Sequence, residues 1–549
     1  MSVRIPLVVL ALLLTPVGVR ADGATSAVFT TPPTVDHLPN GLTLVTVPAE
    51  SPGIVAYYTL MRVGSRDEVE AGHSGYAHLF EHMMFRGTEQ VPQEEYERRI
   101  QSFGADNNAY TTRDFTLFTV TTPTAGLADV VALEGGRFQH LSYDDDAYRT
   151  ETGAVAGEYA KNANNPFMRM WETLSEMAFT HHTYGHTTMG YLRDVCAMPG
   201  EAAYSREFFR RFYTPDDATI IVAGDVDHDR VLELVRQFYG DWHGHRARTH
   251  VRPEPEPRRG ARRDLSWSGT TPPRLFIGYR VPAFEGEGSA SARARTLRQT
   301  AALQVVHGLV FGDSSPLHRR LVVDEQKVLE LSSWADEFNR DPGLFVVTST
   351  LKPGTSFDEV IAPAQAAIDE IAGGQVDAAR VEAVRAHIRY SMLMGLDTAS
   401  NMADRVGQMI AVGGDPGALD RYLAALAAVT SDDVRDAAHS FLTERRRFIV
   451  TLSPGEGDGQ PASTTLCPPA ASAPAAATTP AATAEAATAP AARTPAVTAE
   501  AAMAEAATTP VATTRGTRRA GRTRTGRTRA GTPGAAPAQP VAGSEGGAQ

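Results

Sequence analysis

The sequence contains very little cysteine, with only Cys196 and Cys467 in 549 residues. Two cysteines exclude the multi-bridge framework of a small disulfide-rich protein, so the fold must depend on other interactions. Cys467 lies in a low-complexity segment. A bond between it and Cys196 is therefore not favoured, although the sequence leaves the pairing open.

The chain also lacks a surplus of positive charge, because 52 Lys and Arg stand against 64 Asp and Glu, giving a net charge of −12. A dedicated nucleic-acid-binding protein needs a basic surface to neutralise phosphates, so nucleic acid is not expected as a partner. After the first residues, no apolar run is long enough to form a transmembrane helix. The length predicts two to four domains.

Residues 1–21 have the features of a signal peptide. Arg4 provides the positive charge, "IPLVVLALLL" is the short apolar region, and "VRA" ends at Ala21 with small residues at the cleavage positions. An uncleaved anchor is the alternative. It is disfavoured because the run is short and no charged stop-transfer signal follows. We therefore expect a secreted protein located in the periplasm.

Strand and helix patterns alternate along the chain and predict an α+β fold made of two homologous halves. Each half is expected to be a mostly antiparallel sheet packed with helices. The first half covers residues 28–243 and the second covers residues 265–453. Residues 244–264, rich in proline and charge, are predicted to be a linker.

From residue 454 to 549 the sequence becomes rich in Ala, Thr and Pro, with too few large apolar side chains to pack, and disorder is expected. This tail contains an Arg-rich island at residues 515–529. A solvated tail is the favoured interpretation, and weak contact with an anionic envelope surface is the alternative.

The segment "GYAHLFEHMMFRGT", residues 75–88, places His78 and His82 four residues apart. On a helix these side chains share one face, where two imidazoles can bind one zinc ion. Glu81 lies beside them and could act on a water at the metal. The order H-x-x-E-H is the inverzincin pattern. A surface helix with chance histidines is the alternative.

A third ligand must come from elsewhere, because catalytic zinc usually has three protein ligands. Glu151 and Glu158 are seven residues apart, two helical turns, so their side chains face the same way. Such a pair is also common on solvated helix faces, and the spacing alone does not assign a ligand.

The segments "SGYAHLFEHMMFRGT" and "NNAYTTRDFTLF", with these two glutamates, resemble the pitrilysin family of zinc metallopeptidases over roughly residues 28–453. The resemblance implies that the two halves form one half of a clam-shell chamber. It also implies a zinc endopeptidase with one Zn²⁺ per chain. By this resemblance, the residues involved are the zinc ligands His78, His82 and Glu158, the general base Glu81, and Glu151, which steadies a ligand or a proton.

The resemblance further implies how substrate binds. Asn108 and Ala109 match an edge-strand segment whose backbone pairs with an extended peptide. The expected substrates are peptides or unfolded polypeptide segments that fit a closed chamber.

One family feature is missing from the second half. Complete members carry an Arg and a Tyr seven residues apart, aimed at the scissile carbonyl, and the matching positions here are Val322 and Leu329. Arg319 and Arg320 are nearby but have no tyrosine partner. By its resemblance to the two-subunit branch, the chain is expected to form a heterodimer with a homologous metal-free subunit that supplies Arg and Tyr.

Other interpretations are weaker. A non-catalytic subunit of a pitrilysin-like complex usually loses the metal motif, which is intact here, and an envelope-binding protein would depend on the tail alone. A second metal site at His181, His182 and His186 is disfavoured, as is a ligand role for His307, because a lone histidine on an apolar helix is more often part of the core.

Overall fold

The computed structural model describes residues 28–29, 31–335, 338–374, 376–455 and 467. The predicted signal peptide and nearly all of the predicted tail, including the Arg-rich island, lie outside these residues. Within the described part of the chain, no helix is long and apolar enough to cross a membrane.

The described residues contain eleven strands, which form two sheets. The first sheet contains β1 (Thr34–His37), β2 (Thr43–Pro48), β3 (Ile54–Met61), β4 (Asp106–Thr111), β5 (Thr116–Pro123) and β6 (Ala218–Gly224). The second sheet contains β7 (Ala261–Trp267), β8 (Arg274–Arg280), β9 (Val328–Ala335), β10 (Leu344–Leu351) and β11 (Arg447–Pro454).

The two sheets have the same topology. Their strand orders are β1-β2-β6-β3-β5-β4 and β7-β11-β8-β10-β9. In each sheet one pair is parallel, β2 with β6 and β7 with β11, and the remaining pairs are antiparallel. Apart from β1, every strand therefore has a counterpart, which confirms the predicted α+β fold with two similar, mostly antiparallel halves.

Helices cover the sheets. The helices that follow strands of the first sheet are α1 (Tyr76–Met83), α2 (Gln93–Ser102), α3 (Leu127–His140), α4 (Asp145–Ala163), α5 (Pro166–Ala178), α6 (Leu192–Ala197), α7 (Ala202–Phe212) and α8 (His228–Tyr239). Those of the second half are α9 (Ala290–Val310), α10 (Pro316–His318) with a following π-helical turn (Arg319–Asp324), α11 (Asp358–Gly373), α12 (Ala378–Met394), α13 (Ala399–Gly413), α14 (Ala418–Ala427) and α15 (Ser431–Phe441).

Local sequence explains where α4 and α5 begin. The side chain of Asp144 accepts a hydrogen bond from the amide of Ala147 and so caps α4. Asn165 caps α5 by accepting from the amide of Phe167, and Pro166 occupies the first helical position, where no amide hydrogen is needed. Helix α4 ends at Ala163 and α5 begins at Pro166, so the second cap starts a new helix directly after the first one ends.

Each sheet is covered on both faces, because one helix from each half packs on the sheet of the other half. Leu60 of β3 belongs to a core that includes Val406 and Met409 of α13 from the second half. The neighbouring Met61 belongs to a separate core formed with helices of the first half. Alternate residues of a strand point to opposite faces, so the first sheet lies between its own helices and α13.

The exchange is reciprocal. Helix α5, from the first half, packs on β8 and β11 of the second sheet. Its Phe167 ring lies 4.9 Å from the ring of Phe276 in an edge-to-face arrangement, and Phe167 and Leu174 share one buried cluster with Phe276. Both α5 and α13 are the third helix after the corresponding β-hairpin, so the exchange follows the internal repeat.

The observed boundaries differ from the sequence analysis at two places. Strand β7 begins at Ala261, inside the range 244–264 predicted as linker. Its first four residues are exposed at a sheet edge, and three of them, Arg262, Arg263 and Asp264, are charged, which explains their linker-like composition. Strand β11 includes Pro454, so the last strand extends one residue into the predicted tail.

The disfavoured disulfide is present in the structure. Cys196, in α6, is bonded to Cys467, and their Cα atoms lie 5.2 Å apart. The expectation was wrong because Cys467 was assigned to a tail without contacts to the folded body. The two cysteines are 271 positions apart, and no local pattern connects them.

Candidate metal centre

Helix α1 brings the two motif histidines together. Their ring centroids lie 4.9 Å apart, with the ring planes nearly perpendicular. His78 is fully buried and the side chain of His82 is 15% exposed. The four-residue spacing thus places one imidazole in the core and the other at its border, on one face of the helix.

Helix α4 provides a carboxylate opposite this face. Glu158 Oε2 lies 3.6 Å from His78 Nε2 and 3.5 Å from His82 Nε2. One atom from each of the three residues lies within 4.8 Å of the other two, and in the described part of the chain this is the one such cluster that could hold a metal ion. All three atoms are buried without a hydrogen-bond partner.

This donor set fits zinc. Two imidazole nitrogens and one carboxylate oxygen form a three-ligand set of the kind that catalytic zinc uses. Buried polar atoms without partners are costly, and a cation at their meeting point would satisfy all three. Burial lowers the pKa of His78 to about 4, so this imidazole is neutral near pH 7, as a metal ligand must be.

His82 differs from His78 in its electrostatic surroundings. Burial opposes its charged form, but the carboxylates of Glu151 and Glu158 outweigh this effect and raise the pKa of His82 to about 10. Without a metal, a proton is thus held between these side chains. A cation that binds there must displace this proton, since ligands bind metal in their deprotonated form.

Glu81 lies on α1 beside the three convergent atoms and is 1% exposed. The hydroxyl of Thr111 donates a 2.7 Å hydrogen bond to its Oε2, and its Oε1 is buried without a partner. Burial raises the pKa of Glu81 to about 7. One carboxylate oxygen is therefore fixed and the other is free to handle a proton.

Glu151 lies two turns before Glu158 on α4. Its Oε2 is 3.3 Å from His82 Nδ1, and its Oε1 pairs with the guanidinium of Arg86. Burial alone would raise the pKa of Glu151, but His82 and Arg86 together hold it below its ordinary value. The side chain thus contacts the ring nitrogen of His82 that does not face Glu158.

Asn108 and Ala109 lie on β4, at one edge of the first sheet. The side chain of Ala109 points into the core, while Asn108 is exposed. Strand β4 packs against α1 and ends at Thr111, the residue that donates to Glu81. The free edge of the sheet therefore runs past the candidate centre.

Val322 and Leu329 occupy the two positions at which complete family members are expected to carry an Arg and a Tyr. Val322 is half-buried in the π-helical turn, and Leu329 is 56% exposed on β9. The two nearby arginines pair with local acids, Arg319 with Asp324 and Arg320 with Glu325.

The four other histidines that the sequence analysis considered as metal ligands have partners elsewhere. His182 Nε2 lies 3.1 Å from Asp341 of the second half, and His186 Nδ1 lies 3.0 Å from the carbonyl of Thr187. His181 is near Glu254. His307 Nδ1 lies 2.5 Å from the hydroxyl of Ser333, within the second half.

Sequence reasoning missed two side chains of the site. Arg86 is four residues after His82, a spacing that places both side chains on one face of a helix. Glu151 contacts both of these side chains, so the spacing could have indicated Arg86 as part of the site. Thr111 is thirty positions from Glu81, and no helical or strand period relates them. Only the packing of β4 on α1 brings this pair together.

Comparison with known families gives two matches of one kind. The model described as "Insulinase (Peptidase family M16)" matches residues 51–191, and the model "Peptidase M16 inactive domain" matches residues 202–388. Together they cover more than half of the chain. The first contains every residue of the candidate centre.

Similar proteins include named zinc proteases. The zinc protease PqqE of Helicobacter pylori is 24% identical over 425 residues, which cover 76% of this chain and 92% of that protein. The mitochondrial-processing peptidase subunit beta of Blastocladiella emersonii is 25% identical over 428 residues, covering 77% of this chain and 89% of that protein.

Solved structures share the fold. A protease from Helicobacter pylori matches with a TM-score of 0.71 at 23% identity, covering 77% of this chain and 99% of that one. The periplasmic protease PqqL of Escherichia coli matches with a TM-score of 0.63 at 18% identity, and the match covers 77% of this chain but only 48% of PqqL. With two family models, named relatives and this fold in agreement, the chain belongs to the pitrilysin family, peptidase family M16.

Proposed function

We propose that the protein is a zinc-dependent endopeptidase that hydrolyses peptides or unfolded polypeptide segments. The observation that carries this proposal is the convergence of three buried, unpartnered donor atoms, from His78, His82 and Glu158, beside a carboxylate with one free oxygen. A non-catalytic family subunit has no need for this arrangement.

The chain's own residues divide the chemistry between them. A zinc ion held by the three ligands would activate water and polarise the scissile carbonyl. Glu81 takes the proton through its free Oε1 and delivers it to the leaving amine, while Thr111 holds Oε2 in place. Glu151 orients His82 from its other ring nitrogen, as partners of metal-binding histidines commonly do.

Strand β4 is the proposed substrate-binding edge. An extended peptide adds to the free edge at Asn108 and Ala109 by backbone hydrogen bonds, which hold it without selecting a sequence. An extended segment is available only in a peptide or an unfolded chain, so folded proteins are poor substrates. The zinc site lies beside this edge because α1 packs on β4.

The proposed compartment is outside the cytoplasm, in the periplasm. The signal-like residues 1–21 motivate this proposal, and the disulfide between Cys196 and Cys467 supports it, because disulfides persist in oxidising compartments and are rare in the cytosol. A structural neighbour, PqqL, is described as a periplasmic protease.

We also propose that a second, homologous chain without a metal motif completes the active site. The side chains of Val322 and Leu329 cannot donate hydrogen bonds to a developing oxyanion, and such donors contribute much of the rate enhancement in acyl transfer. A similar protein is named as a subunit, and the chain matches only half the length of PqqL. Both observations are consistent with a two-part enzyme.

The variant Glu81→Gln tests the function. The protein, together with any partner chain that co-purifies, is supplied with zinc and assayed on an unstructured peptide. We expect wild-type zinc content and a roughly 10²–10⁴-fold loss of hydrolysis, because only the base is removed. Glu158→Gln should lose zinc as well, whereas Glu89→Gln, an exposed carboxylate nearby, should change neither property.

Two outcomes would overturn the assignment. Near-wild-type turnover in Glu81→Gln would show that another group is the base. Stoichiometric zinc without hydrolysis in the wild-type assembly, on any unstructured peptide, would favour the non-catalytic subunit instead.

The partner is tested by separation and reconstitution. The chain alone should bind zinc but cleave peptides poorly, and the addition of the partner should restore cleavage. Substitution of the Arg or Tyr that the partner supplies should abolish it again. Full activity of the isolated chain, free of any partner, would exclude the two-subunit arrangement.

A further inference from the structure

The zinc-binding helix begins without a capping side chain of its own. The residue before α1 is Gly75, in a left-handed conformation with φ of 90°. The first amides of a helix have no partner within the helix and need an acceptor from elsewhere. Both oxygens of a single carboxylate supply it here: Glu68 Oε2 accepts from the amide of Gly75 and Glu68 Oε1 from the amide of Ala77, each at 2.7 Å.

Glu68 is buried, with 6% of its surface exposed, so water does not compete for these two hydrogen bonds. In the ion pairs of the described residues the basic side chain nearest to it is His186, whose Nδ1 lies 3.7 Å from Oε2, and burial keeps this imidazole neutral. The donors that hold this carboxyl group are the two backbone amides at the positive end of the helix dipole. Such a contact fixes both the position and the direction of the helix.

The preceding residue is fixed as well. The hydroxyl of Ser74 donates a 2.6 Å hydrogen bond to Asp194 Oδ2. The same hydroxyl oxygen accepts a 2.8 Å hydrogen bond from the amide of Tyr191. Helix α1 is only eight residues long, so a small rotation at its start displaces both turns. Ala77, held by Glu68, is adjacent to His78.

The segment that carries Glu68 is itself attached to the hairpin beside the site. The amides of Ser65 and Arg66 donate to the carbonyls of Thr112 and Arg113, at 3.3 and 2.8 Å. These carbonyls directly follow Thr111, the residue that fixes Glu81. The segment that holds the start of the zinc helix is therefore hydrogen-bonded to the backbone directly after the strand that holds the base.

We propose that Glu68 is a positioning residue that sets the zinc helix, and with it His78, Glu81 and His82, relative to Thr111 and Glu158. Glu68 does not contact the metal or the substrate. It acts through the two backbone amides at the start of α1. The proposal deepens the zinc-peptidase function and rests on it for the identity of the metal.

The test uses the full chain with Glu68→Ala and Glu68→Gln, and with Glu70→Gln as the matched control. Glu70 is a carboxylate of the same loop that pairs with Arg211 and has no hydrogen bond to α1. Four quantities are measured: the zinc dissociation constant by chelator competition, the hydrogen exchange of the α1 amides, and kcat and KM of the partner-completed enzyme.

We expect Glu68→Ala to raise the zinc dissociation constant by roughly 10- to 100-fold, as loss of outer partners commonly does. Exchange at the start of α1 should accelerate. The value of kcat should fall while KM for the peptide stays unchanged, because the substrate strand is untouched. Glu68→Gln should lie between wild type and Glu68→Ala, since an amide has one acceptor oxygen for two donors. Glu70→Gln should match wild type.

Wild-type zinc affinity and wild-type exchange of α1 in Glu68→Gln would overturn the proposal. If Glu68→Ala does not fold, Glu68→Gln and its exchange pattern still decide the question. If the wild-type protein binds no zinc, the proposed function fails instead, and exchange of the α1 amides alone tests the positioning role. An equal loss of kcat and zinc affinity in Glu70→Gln would show a general effect of charge in the loop.

Discussion

At the scale of single residues, His186 is a buried base that must stay neutral in the folded protein. It is 6% exposed, its Nδ1 lies 3.0 Å from the carbonyl of Thr187, and its Nε2 is buried without a partner. Burial lowers the pKa of His186 to about 4, although the carbonyl of Thr187 and the charge of Asp194 act in the opposite direction. The ordinary pKa of an unfolded histidine is about 6.5.

This shift predicts a loss of stability in acid. Between about pH 6.5 and pH 4 the unfolded state binds a proton at this position and the folded state does not, so the free energy of unfolding falls as the pH falls. The contribution reaches about 3 kcal/mol over this range. Urea denaturation of the metal-free wild type and His186→Asn, both with chelator, measures it.

The variant should lose this part of the pH dependence, because its amide can still donate to Thr187 but does not titrate. Its stability difference from wild type should therefore shrink as the pH falls towards 4. Parallel curves for the two proteins would show that His186 does not titrate in this way.

Residues of the site could be predicted from the sequence to different extents. The pair His78 and His82 follows from helical spacing, and Glu81 lies within the same motif. Glu158 required a family resemblance, because the seven-residue spacing to Glu151 is common on surface helices. Its approach to the two imidazoles, within 3.6 Å, depends on how α4 packs against α1.

Thr111 and Glu68 could not be found in this way. Their functions in the structure depend on hydrogen bonds to α1 from a strand end and from a preceding loop. Neither residue lies in a sequence motif or at a helical or strand spacing from the other site residues that would distinguish it from an ordinary threonine or glutamate. Only the three-dimensional arrangement identifies them.

At the scale of elements, the start of α1 fits tightly against Met189 and Met198, which lie on either side of α6. A Cβ atom on Gly75 would lie 2.8 Å from the carbonyl oxygen of Met189 and 2.9 Å from the side chain of Met198. Gly72, three residues earlier, has nearly the same φ of 89°, but no atom lies within 4 Å of such a Cβ. A substitution at Gly72 would therefore report backbone strain alone, whereas one at Gly75 would report backbone strain together with a steric overlap.

We predict that Gly75→Ala is markedly more destabilising than Gly72→Ala. Each substitution places a side chain in a left-handed conformation, at a cost of roughly 1–2 kcal/mol. Gly75→Ala adds an overlap with backbone, worth a further 1–3 kcal/mol or so. Thermal or urea unfolding of both variants measures the difference. Equal effects would mean that the contact at Gly75 relaxes freely.

Elements were predicted best where one pattern dominates. In "LPNGLTLVTVP" the turn signal at Asn40-Gly41 and the alternation after it indicate a strand, which is β2. The segment "SARARTLRQTAALQVVHGLVFG" indicates a helix, which is α9. Strand β7 was missed because its exposed charged residues resemble a linker. Its place in the sheet depends on β11, which is almost 190 residues later and pairs with it in parallel.

At the scale of the whole molecule, the repeat was visible in the sequence but the exchange of α5 and α13 was not. Each of these helices is amphipathic, and the sequence does not say which of two similar sheets it covers. Since α5 covers β8 and β11, while α13 covers β3 and β6, neither half is complete by itself.

We therefore predict that residues 28–243 and 261–455, produced separately, do not fold into stable monomers. Each piece would expose one apolar sheet face and one apolar helix face to water. Co-expression should restore a soluble complex, because both faces are then covered. Size-exclusion chromatography and circular dichroism compare the two cases. A stable, monomeric first half would show that α13 contributes little to its core.

The bond between Cys196 and Cys467 joins the first half to a point beyond the last strand. A protease that cuts once in the exposed segment between α8 and β7 would therefore produce two polypeptides that remain one covalent molecule. Electrophoresis should show a single band of full mass until a reducing agent is added, and then two fragments. In an oxidising compartment the nicked protein would keep both halves covalently joined, while a reducing environment would leave them held by non-covalent contacts, among them those of the exchanged helices.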